Sequence, residues 1–135
     1  MSSKKKKFLC FLVLSLLTVF SRFYRLNWDS SFFFHPDENN MALSVLQMTD
    51  HQLNPKFFAY GQFPLYLTFF TTPKHDLATI TLTLRFWSAI FSSLSVFIFY
   101  FIAKKIFSSS KSAIIFTLLI IFTPGLIQSA HFGTT

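Results

Sequence analysis

The chain has 135 residues, of which 52% are hydrophobic and only 13% charged, and its mean hydropathy is +0.49. A water-soluble domain of this size carries far more charge, and 21 phenylalanines exceed what so small a molecule can hide inside itself. The net charge of +7 does not mark a nucleic-acid binder, because the basic residues gather at the ends of apolar runs and no nucleic-acid motif accompanies them. Lipid is therefore the expected solvent, and an all-α integral membrane module covering residues 1–135 the expected fold.

The first apolar run extends from Phe8 to about Tyr24 and follows Lys4–Lys7. Its apolar heart has the length of a signal-peptide core, but no small-x-small cleavage site follows. The run continues as Ser21-Arg22-Phe23-Tyr24-Arg25, whose aromatic and arginine side chains suit an interface, so an uncleaved span over about 8–24 is expected. Cys10, the single cysteine, lies in this run and reads as a small hydrophobe with no intrachain disulfide available. Pro36 and the acids after it predict a short helix over Asp37–Gln47, since proline and carboxylates favour a first helical turn.

From Phe57 to Thr72 there is no charge, yet Gly61 and Pro64 interrupt the run and Pro55 and Pro73 bracket it. An amphipathic or re-entrant helix at the interface is expected there. The second span is predicted over Phe86–Ala103, 18 residues without a charge, with uncharged Leu77–Leu84 before it across Arg85. The third is predicted over Ser112–Ala130, with Pro124 and Gly125 bending or ending its helix.

Charge sets the expected orientation. Lys4–Lys7 precede the first span, and Lys104, Lys105 and Lys111 separate the second from the third, without an acidic neighbour in either place. The segment between the first two spans holds the other five cations and all five acids: Asp29, Asp37, Glu38, Asp50 and Asp76. The positive-inside rule puts the amino terminus in the cytoplasm and makes residues 26–85 an outer loop carrying short interfacial helices. A full span over 57–72 would place Lys104, Lys105 and Lys111 outside, against that rule.

The residues suited to chemistry concentrate in this loop. Asp37 and Glu38 follow His35-Pro36 directly. They read either as helix caps or as a general base able to deprotonate an acceptor hydroxyl or amine attacking the anomeric carbon of a lipid-linked sugar. A divalent metal held by His35, Asp37, Glu38 and His51 is the less favoured option, since the spacing matches no specific ligand pattern, and no cofactor is expected.

The segments His35-Pro36-Asp37-Glu38, Leu53-Asn54-Pro55-Lys56-Phe57-Phe58-Ala59-Tyr60 and Phe63-Pro64-Leu65-Tyr66-Leu67 resemble the first outer loop of GT-C glycosyltransferases, in the protein mannosyltransferase and aminoarabinose transferase superfamily. Arg85-Phe86-Trp87-Ser88-Ala89-Ile90-Phe91, Lys104-Lys105-Ile106-Phe107 and Thr123-Pro124-Gly125-Leu126 with His131-Phe132 continue the likeness in order. One departure is Gln62-Phe63-Pro64-Leu65, where aminoarabinose-type members carry a lysine before the Pro-Leu pair.

The resemblance implies transfer of a sugar from a polyprenyl or dolichyl phosphate to a protein, lipid or glycan on the outer or lumenal face of a bacterial plasma membrane or the endoplasmic reticulum. It makes Asp37 the base and Glu38 a neighbour that shapes the loop or binds acceptor. Arg85, Lys56 and His131 become candidates for donor phosphate or substrate. Their plainer readings are a snorkelling anchor or acid partner, a solvated loop lysine and an interfacial side chain. Family enzymes have many more spans, so the chain reads as an amino-terminal, truncated module whose carboxy-terminal part is a further expected partner. The competing class is a small non-enzymatic membrane protein that anchors or docks a partner.

Overall fold

The computed structural model describes residues 3–29 and 35–134; Phe34 and Thr135 lie outside the described residues. Six helices follow one another: α1 (Ser3–Phe23), α2 (Pro36–Leu46), α3 (Phe63–Thr71), α4 (Leu77–Ile106), α5 (Ser110–Phe122) and α6 (Pro124–His131). Among the described residues there is no strand, only an isolated bridge between Thr49 and Gln52.

Helix α4 is the axis of the molecule, since each of the other five packs against it. It starts earlier than residue 86 because Asp76 caps it: its carboxylate accepts the Thr79 amide and the Thr79 hydroxyl, each at 2.9 Å. Arg85 therefore sits inside a continuous helix rather than ahead of one. At 30 residues, α4 is long and apolar enough to cross a membrane, and only 28% of its most apolar window is buried within the molecule. A soluble core helix of that composition would be mostly covered.

The predicted third span is two helices. Proline 124 supplies no amide to continue α5, and α6 leaves at 49° to it; taken together the bent pair also has span-like length and composition. Helix α1 combines Lys4–Lys7 with the uncharged stretch Phe8–Ser21. The apolar run expected to be helical over 57–72 is helical only over α3, because the chain between Pro55 and Gly61 is irregular and bends at 59–60.

Two apolar clusters hold these elements. Met41, Ala42 and Val45 of α2, Leu65 of α3, and Ile80 and Leu84 of α4 form one. Leu14 of α1, Val96 of α4 and Ile121 of α5 form the other, lower along α4. The loop helices α2 and α3 are thereby fixed onto the first two to three turns of α4, and Trp87 adds a hydrogen bond from its indole N–H to the Thr71 hydroxyl at 2.9 Å.

Candidate functional site

Pro36 opens α2 with a preset φ, and His35 caps it through Nδ1, which accepts the Glu38 amide at 3.4 Å. Consecutive residues on a helix point about 100° apart, so Asp37 and Glu38 cannot share an environment. Glu38 turns inward and is fully buried, whereas Asp37 is half-exposed.

Glu38 meets Arg85 in a bidentate pair, with Nε to Oε1 at 2.7 Å and Nη2 to Oε2 at 2.6 Å. Asp29, in the segment after α1, forms a second bidentate pair: Nη1 to Oδ1 at 3.0 Å and Nη2 to Oδ2 at 2.8 Å. The remaining Nη1 proton goes to the Leu26 carbonyl at 2.9 Å, and the Trp28 ring covers the guanidinium at 5.3 Å. All five guanidinium protons are thus used, which is what a buried arginine requires. The backbone amide of Gly133 adds a 2.6 Å bond to Glu38 Oε1. Gly133 has no room for a side chain: a Cβ there would come within 2.6 Å of Leu84 Cβ and 3.0 Å of Glu38 Oε1. This clamp joins the exit of α1, the start of α2, the third turn of α4 and the segment after α6.

Asp37 faces the other way. Its Oδ2 accepts the Tyr60 hydroxyl at 2.7 Å, and its Oδ1 has no hydrogen-bond donor among the described residues. The bond to Asp37 holds the Tyr60 phenol above its ordinary pKa, with some desolvation and the aspartate's charge acting in the same direction. Tyr60 belongs to the non-helical 53–62 segment, so this contact lays that segment over the start of α2. Lys56 lies on the same segment, exposed and outside any ion pair among the described residues, with a left-handed backbone (φ 51°) supported by its amide bond to Asn54 Oδ1 at 2.9 Å.

The structure brings together Asp37, Glu38 and Arg85 at one level of the molecule, with Glu38 and Arg85 bonded to each other. His131 sits elsewhere: its Nε2 faces the Tyr24 carbonyl and its Nδ1 the Ile127 carbonyl, both at 2.8 Å, fastening α6 to the end of α1. Its neighbour Phe132 stacks near His35, with centroids 4.4 Å apart. His35, Asp37, Glu38 and His51 do not converge into a set of three metal ligands.

Sequence reasoning missed Asp29 and Gly133 because their partners lie 56 and 95 residues away, beyond any local pattern. It also read Arg22 as an interfacial anchor. Arg22 is instead completely buried, donating from Nε to the Ser92 hydroxyl (2.9 Å), from Nη1 to the Ile121 carbonyl (2.8 Å) and from Nη2 to the Ile120 carbonyl (3.3 Å). The break before Pro124 frees those carbonyls, and the signal was present as a proline two residues beyond the end of the apolar helix α5. No protein family, curated protein or solved structure matches the chain.

Proposed function

We propose that this chain is the amino-terminal membrane module of a lipid-linked-sugar glycosyltransferase, with Asp37 as its general base. The observation that carries this reading is the partition of two adjacent carboxylates. Glu38 is consumed by Arg85 and Gly133, while Asp37 is half-exposed with one oxygen open and the other steadied by Tyr60. A base needs such an oxygen within hydrogen-bond reach of an acceptor proton.

In the reaction, Asp37 Oδ1 takes the proton from an acceptor hydroxyl or amine. The acceptor's lone pair forms the new bond to the anomeric carbon as the bond to the polyprenyl or dolichyl phosphate breaks, and the phosphate leaves with that electron pair. Lys56, exposed four residues before Tyr60 and outside any ion pair among the described residues, is the cation this reading assigns to the leaving phosphate. Arg85 serves by holding the loop: its five protons are already spent.

The module crosses the membrane three times in this reading, over about 8–24, 86–103 and 112–130, with the amino terminus cytoplasmic and residues 26–85 on the outer face. The length of α4, the bent α5–α6 pair and the distribution of lysines support it. The remaining spans of such an enzyme, on this polypeptide or another, would complete the donor cavity.

The test is transfer of tritiated mannose or aminoarabinose from its polyprenyl phosphate to membrane acceptors. Asp37→Asn is expected to lower the rate by about 10²–10⁴-fold, the usual size of a general-base contribution. Wild-type rates in that variant would remove Asp37 from the mechanism.

A further inference from the structure

Below the Arg85 clamp, α1, α4, α5 and α6 enclose an open cavity of about 300 Å³ that no part of the transfer reaction uses. Positions 85, 88 and 92 recur at the spacing of one helical face, so the cavity lies roughly one to two turns from Arg85 along α4. Arg22 forms its floor, and Ser88, Ser92 and Thr134 are among its polar lining.

Two features give this cavity a preference for anions. First, Arg22 is completely buried with no carboxylate within ion-pair distance among the described residues, so its charge is dispersed only onto neutral carbonyls and hydroxyls. Arg85, equally buried, has two carboxylates. Second, the hydroxyl protons on the wall are uncommitted. Ser88 is 8% exposed and has no hydrogen-bond partner among the described residues. Ser92 accepts from Arg22 Nε, which polarises its own O–H, and that proton has no acceptor among the described residues. By contrast, Ser95 and Ser129 spend theirs on the carbonyls of Phe91 and Gly125.

The rest of the lining is apolar, with Phe91, Val96, Phe99 and Leu126 around the polar floor. A free inorganic ion gains nothing from those walls, whereas an amphiphile satisfies both parts. We infer that this cavity binds the phosphate end of a lipid, its oxygens accepting from Ser88 and Ser92 above the Arg22 charge and its chain leaving along Phe91 and Phe99. The inference rests on the membrane reading of the chain and is independent of proton transfer by Asp37.

The test is native mass spectrometry of the whole chain released from a nonionic detergent, offered phosphatidic acid, diacylglycerol of the same chains, or inorganic phosphate. Phosphatidic acid is expected to be retained at least tenfold better than diacylglycerol. Arg22→Gln, Ser88→Val and Ser95→Trp are each expected to remove that preference; Ser95 is exposed at the cavity, so its variant carries the test even where a floor substitution fails to fold. Replacing Lys4–Lys7 by glutamine is expected to leave retention unchanged.

Equal retention of the two lipids, or loss of retention only in the lysine variant, overturns the site. Inorganic phosphate held as tightly as phosphatidic acid overturns the lipid and assigns the cavity to a soluble anion. Lost lipid binding with Asp37-dependent transfer intact would remove this inference alone, and the converse would remove only the transferase reading.

Discussion

Arg22 and Arg85 are equally buried, lie on adjacent helices, and have opposite electrostatic settings. Arg85 is enclosed by Glu38 and Asp29, which overcompensate its charge, and every one of its protons has an acceptor. Arg22 has carbonyls and serines and keeps its charge. Burial alone therefore says little about what an arginine does; the partners decide whether it is a rivet or a source of positive potential facing a cavity. The same division repeats one step along the chain, where Glu38 belongs to the rivet and Asp37 stays open.

The largest effect that would break this comparison is expected at Arg85. Arg85→Met takes the guanidinium away from two buried carboxylates and should cost about 3–5 kcal/mol, read as a lowered urea midpoint in micelles. Adding Asp29→Asn and Glu38→Gln to it should recover most of that loss, because the penalty lies in the stranded charges. Next comes Gly133→Ala, which drives a methyl into Leu84 and Glu38; overpacking of this kind costs roughly 1–3 kcal/mol and should appear as a lowered Tm.

Arg22→Met is expected to cost less than Arg85→Met. It strands the Ile120 and Ile121 carbonyls but also removes an uncompensated buried charge, for a net loss of about 1–3 kcal/mol by the same urea measurement. A larger loss at Arg22 than at Arg85 would reverse the assignment of rivet and source.

The smallest effect is at the exposed Asp76. Its bonds from the Thr79 amide, then the Thr79 hydroxyl, hold its carboxyl below the usual range, so the cap's contribution is complete above the ordinary carboxylate pKa of about 3.9. That contribution is lost as the pH falls through the lower folded value. Hydrogen exchange at the Thr79 amide should quicken over that window beyond its intrinsic pH dependence, and Asp76→Asn should abolish the pH-linked part.

Much of the architecture was legible because local chemistry determines it. Pro36 with two acids announces the start of α2, and Pro124-Gly125 announces the break between α5 and α6. The early start of α4 is hidden in the sequence because Arg85 interrupts the uncharged run, whereas Asp76 and Thr79 begin a helix that simply includes it. The open carboxylate at Asp37 follows from a one-residue offset on a helix, yet which of the two acids turns inward depends on Arg85, 47 residues away. Long-range pairing of this kind leaves no periodic trace in a single sequence, and Asp29 gave no local sign of its role for the same reason.

The central claim, that Asp37 is free for chemistry while Glu38 belongs to the scaffold, is tested most directly by measuring sugar transfer and melting temperature on Asp37→Asn and Glu38→Gln side by side. The account predicts that Asp37→Asn loses transfer and melts within a degree or so of the wild type, an exposed polar change being worth little to stability. It also predicts that Glu38→Gln melts several degrees lower, by roughly 4 °C for each kcal/mol lost in a domain of this size. An Asp37→Asn chain that transfers sugar normally, or a Glu38→Gln chain that melts like the wild type, would contradict it.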